Sequence, residues 1–172
     1  IVDDNGDRIG GKSIKFEYGT ITDVNKPLVN VKGKLRILTQ FNVKGDKSAK
    51  NLFHFFADPS NTNVEWTHAK VGAMESGKNI IGSSHQESST AVGAYLRQTG
   101  YTLREVNHNH PSGSYFPSKG DKNAALLYKK GNSDVKLQIY THPNRYSEYD
   151  EKGTLDFSDF APAIELIEPN KK

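Results

Sequence analysis

Not one cysteine occurs among the 172 residues, so the fold has no disulfides and must be held by burial and hydrogen bonding alone. A chain of this length can manage that. A domain of about 150 residues buries roughly 70% of the surface its unfolded chain would expose. The same absence excludes thiolate zinc fingers, iron–sulfur clusters and a Cys nucleophile, and leaves His and carboxylates as ligands for any transition metal. Six histidines are available.

Lys and Arg number 23 against 20 Asp and Glu, a formal net charge of +3. The lysines are scattered among acids, so nothing in the pattern supports a nucleic-acid footprint, which typically neutralises about 6–10 phosphates. No run approaches the ~18 apolar residues of a membrane span, and no basic-then-apolar secretory leader opens the sequence. A start at Ile1 without Met is what a processed chain, or a domain excised from a longer protein, would present.

Residues 1–44 are rich in Gly, Asp, Asn and Lys and read as an extended leader with short strands at Ser13–Tyr18 and Gly33–Phe41. Asp46 is placed to cap a helix whose inner face is Ala49, Leu52, Phe53 and Phe56, ending at Asp58-Pro59. Val64–Val71 and Asn79–Ser84 form a hairpin around Glu75-Ser76-Gly77-Lys78. Ser88 or Ser89 caps a second helix using Val92, Tyr95 and Leu96, with Gly100 at its C′ position. A strand at Tyr101–Asn107, a loop at His108–Pro117, a helix from Ser118 to Lys130 and a strand at Asp134–Thr141 follow. Tyr146–Tyr149 and Thr154–Phe157 make a terminal hairpin. This order predicts an α/β (α+β) sandwich with a mixed sheet.

The chemistry concentrates in Asn107 to Asp121. His108 and His110 lie two residues apart at a strand end, so their side chains project the same way and can reach one metal. Pro111 and Gly113 turn the chain back, and Asp121 falls in the first turn of the next helix. Two His and one carboxylate leave the fourth position open for water, the arrangement of a catalytic zinc site. Ser118-x-x-Asp121 taken alone is also a helix capping pair. What raises it above coincidence is the order His-x-His-Pro, then seven residues between His110 and Ser118, then Ser-x-x-Asp.

His108-x-His110-Pro111 with Ser118-x-x-Asp121 resembles the signature of the JAMM (JAB/MPN) metalloproteases, and the fuller string HNHPSG…PS…D is similar to their RadC-like branch. The resemblance spans roughly Ala49 to Thr141. It implies a cytidine-deaminase-like three-layer α/β/α fold over 45–172, with a Zn2+ held by His108, His110 and Asp121. It also implies an upstream Glu that handles the proton of the attacking water, and a role for Ser118 in stabilising the tetrahedral intermediate. Glu65 is the positional match for that Glu, with Glu87 next and His142 a secondary candidate on the substrate side. His54, Trp66, Phe53, Phe55 and Phe56 read as packed residues, and His68 and His85 as solvated hairpin positions.

The leader before Ala49 does not resemble the helical domain expected before a RadC-type core, and the tandem partner domain and ubiquitin-gripping insertions of eukaryotic deubiquitinases are not evident. The chain is most similar to the JAB-like toxin domain at the tip of bacterial polymorphic toxins. That implies a secreted effector acting in a target cell on a protein or isopeptide-linked substrate, with a cognate immunity protein in the producer; the sequence itself gives no sign of a membrane partner and no support for nucleic acid. Two alternatives stand beside it. One is a metal-dependent nuclease toxin, which the letters His-Asn-His bring to mind although such nucleases spread those residues over a longer unit. The other is a metal-free MPN-like binding scaffold.

Overall fold

A computed structural model describes residues 12–87 and 90–156. The strands are β1 (Ile21–Asn25), β2 (Leu28–Val31), β3 (Lys34–Ile37), β4 (Thr39–Lys44), β5 (Thr67–Val71), β6 (Lys78–Ser83), β7 (Leu103–Asn109), β8 (Lys136–Thr141), β9 (Arg145–Tyr149) and β10 (Thr154–Asp156). The helices are α1 (Asp46–Ala57), α2 (Val92–Thr99) and α3 (Lys119–Gly131). Eight strands form one sheet in the order β1-β4-β6-β5-β7-β8-β9-β10, and β2 and β3 pair separately. Within the sheet only β7 and β8 run parallel, joined across α3. The sheet is therefore mixed, as the order of elements requires.

Alternation along single strands shows that both faces are covered. On β6, Ile80 belongs to one apolar cluster with Val92, Leu96, Ala125 and Tyr128 of α2 and α3. The next residue, Ile81, belongs to another with Leu52, Phe53 and Phe56 of α1. Successive strand residues point to opposite faces, so α1 covers one side and α2 with α3 the other. The sandwich is an α/β fold of three layers.

The helix periodicity reads correctly in α1, where Ala49, Leu52, Phe53 and Phe56 are all buried. Complete burial of Phe53 alone contributes about 1.5–3 kcal/mol. The helix stops at Asp58, whose extended backbone precedes Pro59. Asp46 does not cap it. The N-cap is Gly45, and the Asp46 carboxylate instead accepts from Asn79 at 3.0 Å and pairs with Arg104 at 3.3 Å. Asp46 is the first residue inside the helix, so its side chain is free to reach across to β6 and β7.

Other boundaries shift as well. Ser13–Tyr18 forms no strand, and Gly33–Phe41 is split into β3 and β4 at Leu38, which is fully buried. β4 and β1, both within the stretch 1–44, are strands of the main sheet. The hairpin strand starts at Thr67 rather than Val64. β7 extends through Asn109, so His108 lies on the strand and not in the loop. Ser88, Ser89 and Phe157 lie outside the described residues; α2 begins at Val92, whose N–H donates to Thr90 Oγ1, and it ends on Gly100 at φ 68 as expected.

Candidate metal centre

The site forms at the C-terminal end of β7, beside the crossover into α3. Val106 and His108, two residues apart on β7 beyond its bulge, face α2 and α3, so Val106 enters the core and His108 reaches the cavity. Asn109 points the other way. Its Oδ1 accepts from the Trp66 N–H at 2.7 Å while its own N–H donates to the Trp66 carbonyl. The central letter of His-Asn-His is thus a clamp on the segment leading into β5. Glu65 sits in that segment, with its N–H donated to the Gln86 carbonyl and its carbonyl accepting from the Ser83 hydroxyl at 2.6 Å. Ser83 at the end of β6 and Gln86 just beyond it hold the backbone of Glu65 in place, and its side chain is buried against the histidines.

The two readings of Ser118-x-x-Asp121 hold together. The Ser118 N–H donates to Asp121 Oδ2 at 2.7 Å and the Asp121 N–H to Ser118 Oγ at 3.2 Å, closing a capping box at the start of α3. The same carboxylate lies 3.2 Å from His108 Nε2 through Oδ1 and 3.3 Å from His110 Nε2 through Oδ2. The two Nε2 atoms are 3.0 Å apart. His110 Nδ1 lies 3.0 Å from the Ser114 carbonyl, an acceptor only, so Nδ1 carries the proton and Nε2 presents its lone pair.

One ligand atom from each of Glu65, His108, His110 and Asp121 lies within 4.8 Å of the other three. A tetrahedral zinc with bonds of about 2.0–2.1 Å places its ligand atoms about 3.3–3.4 Å apart. The three His and Asp separations approach that edge length, whereas Glu65 Oε1 stands off at 3.9 Å from His108 Nε2. The donor set fits a divalent metal with three protein ligands, Glu65 facing the remaining side.

The charges are tightly coupled. Burial raises the pKa of Glu65, more than the two imidazoles lower it. Asp121 is affected by burial in the same upward sense, yet His108, His110 and Ser118 hold it far below the usual carboxylate range. Burial pulls His108 down, and Asp121 and Glu65 together lift it above its ordinary value.

A cavity of about 340 Å3 opens beside the cluster, lined by Glu65, His108, Ser118 and Asp121 among others. Tyr128 and Tyr149, both nearly buried, line it too. Burial raises the Tyr128 phenol to about 12 and Tyr149 well above its normal value. Sequence reading missed both tyrosines. The one available signal was the alternation in β9, which buries Ser147 and Tyr149.

The secondary candidates lie apart from the cluster. Glu87 is exposed and accepts from Asn63 at 3.4 Å. His142 is exposed on the turn between β8 and β9. His68 is not solvated: it is 1% exposed, its Nε2 against Asn79 Oδ1 at 2.8 Å and its ring 5.8 Å from that of Phe53. His85 is exposed, near Thr39. His54 is half-buried and stacked on Tyr140, and Trp66 stacks on Phe56.

A family model described as JAB-like toxin 1 matches residues 41–136. No curated protein and no solved structure matches the chain.

Proposed function

The chain belongs to the JAB-like toxin family, and from that premise we propose that it is a zinc-dependent hydrolase of amide or isopeptide bonds, the toxic tip of a bacterial polymorphic toxin. The observation that carries this reading is the convergence of Glu65, His108, His110 and Asp121 within 4.8 Å at the end of a cavity. His108, His110 and Asp121 would hold the ion. When bound, zinc supplies a Lewis acid that polarises a carbonyl and lowers the pKa of a water molecule to about 7.

The protein's own groups do the rest. Glu65 accepts the proton of the attacking water and returns it to the leaving amine nitrogen, and burial that favours its protonated form suits a relay of this kind. Ser118 Oγ is occupied as an acceptor by the Asp121 N–H, which leaves its O–H to donate to the developing oxyanion. The capping box fixes that hydroxyl before substrate arrives.

In this reading the substrate is a protein or isopeptide-linked chain in another cell, and the producer is protected by an immunity protein. No helix among the described residues is long and apolar enough to cross a membrane, which suits a domain delivered by something else. The test joins metal analysis to a search for new protein N-termini and released isopeptides in cells expressing the domain. Wild type is expected to carry one zinc and to cleave. Glu65→Gln is expected to keep the zinc and lose about 10²–10⁴-fold in turnover. Wild-type-like cleavage by Glu65→Gln would overturn the assignment, and plasmid cleavage supported by Mg²⁺ without any amide product would replace it with the nuclease reading.

A further inference from the structure

Part of the cavity wall is built by the β2–β3 hairpin, α2 and α3, which share one apolar cluster. The β2–β3 hairpin packs on α2: Val29 is fully buried in the α2/α3 cluster, and Gln98 of α2 lies 3.4 Å from the Asn30 carbonyl. Its two-residue tip is Lys32-Gly33, with φ 50 and 82, and Asn30 Oδ1 accepts from the Gly33 N–H at 2.8 Å. Positive φ at the first tip position favours Asn, Asp or Gly, yet a lysine stands there and lines the cavity.

Arg97 lies on α2 one turn beyond Gly93. A Cβ added to Gly93 would fall 3.5 Å from Arg97 Nη1 and would collide with the Tyr128 hydroxyl of α3. The bare glycine therefore lets a guanidinium and a buried phenol hydroxyl lie side by side at this wall. Lys32, Arg97 and Tyr128 make no ion pair or side-chain hydrogen bond among the described residues. Among the described residues, Glu65 and Asp121 are the only acids lining the cavity, and both lie against the histidines. The wall thus presents two positive charges and an O–H donor with no anion among the described residues to answer them, in a concave site that concentrates their field. The spaces between are apolar, at Val31, Ala94 and Leu127.

We propose that this wall is a subsite for a carboxylate of the substrate, held by Lys32 and Arg97 with the Tyr128 hydroxyl, while the aliphatic part of the same residue lies against Val31, Ala94 and Leu127. The proposal rests on reading the neighbouring cluster as the place where the amide is cut. It makes the hydrolase selective for an acidic side chain, or for a chain terminus, close to the scissile bond. Arg97 belongs to the stretch matched by the family and Lys32 does not, so the hairpin is where this chain adds its own selectivity.

Calorimetric titration of the zinc-loaded chain tests it with three small probes. N-acetylglutamate α-amide carries a side-chain carboxylate, N-acetylalanine a terminal one, and N-acetylglutamine α-amide neither. At least one carboxylate probe is expected to bind tenfold or more tightly than the glutamine amide, and the one that does identifies the source. That advantage should fall below twofold in Lys32→Gln/Arg97→Gln and survive in Lys32→Arg/Arg97→Lys. Equal binding of all three probes, no binding of any, or an advantage undiminished in the double Gln variant would each overturn the proposal, the last because it assigns the carboxylate to the metal. The readout is binding, so a carboxylate advantage without cleavage of any amide would sink the hydrolase reading and leave the subsite standing.

Discussion

Asp121 is asked to do two things with one carboxylate: accept the Ser118 N–H that closes the start of α3, and face both imidazoles. The two tasks differ in what they need from it. An amide oxygen can still accept from Ser118, but it offers a metal no negative charge. Asp121→Asn is therefore expected to cost less than about 1 kcal/mol of stability while weakening zinc binding by more than the roughly 10–100-fold typical of an outer-sphere substitution. Denaturation and a zinc titration on the same variant separate the two. A second residue answers to pH. Burial lowers the pKa of His68 to about 4, against about 6.5 in an unfolded chain. Folding favours its neutral form, so the stability it carries is complete above pH 6.5 and is lost as pH falls from there toward 4, on the order of 3 kcal/mol at the low end. His68→Gln should flatten the loss between pH 7 and 4 in urea denaturation, although His54, also lowered to about 4, keeps part of the slope. An unchanged slope would show that His68 is hydrated in the folded chain.

Between elements, α2 comes close to α3 at the cavity through Gly93 and the Tyr128 hydroxyl. Gly93→Ala adds a good helix former to a helix, which would stabilise it by up to about 1 kcal/mol in isolation. The collision predicts the reverse, a loss of about 1–3 kcal/mol by overpacking. Tyr128→Phe removes the atom that is struck, so the double variant should recover most of that loss, a non-additivity that thermal denaturation of the four proteins measures. Elements of this kind were only partly legible. α1 follows from a period of 3.6 and β8 from a period of 2 in contiguous residues, the β5–β6 hairpin from its turn Glu75-Ser76-Gly77-Lys78, and Gly100 marks its own helix end. The partners of β1 and β4, the separate β2–β3 pair and the burial of His68 were not readable, because each depends on a surface supplied from far along the chain.

For the molecule as a whole, the same division explains what could be known of the site. His108, His110 and Asp121 fall within one short window, so their spacing pointed to a metal site, whereas the role of Ser118 and the choice of Glu65 ahead of the hairpin came from the resemblance to the JAMM signature. Lys32, Tyr128 and Tyr149 reach the cavity from the β2–β3 hairpin, α3 and β9, and only the closed fold brings them together. The proposed metal would tie these distant pieces at one point. Its ligands come from β7, the loop after it and α3, while Glu65 comes from the segment before β5, so the site as arranged exists only in the folded chain. An ion that binds the folded form and not the unfolded one stabilises it by mass action, about 2.7 kcal/mol at a hundred times Kd. For a chain of this size that corresponds to a rise in Tm of about 5–11 °C. Zinc added to chelator-treated protein is expected to raise Tm by this amount at neutral pH, and Mg²⁺ to do so weakly, since two imidazoles favour zinc over a cation that prefers oxygen. His110→Ala should remove most of the zinc response. A response equal to wild type in that variant would mean that zinc binds elsewhere, and an equal response to both ions would argue for a site made of oxygen ligands alone.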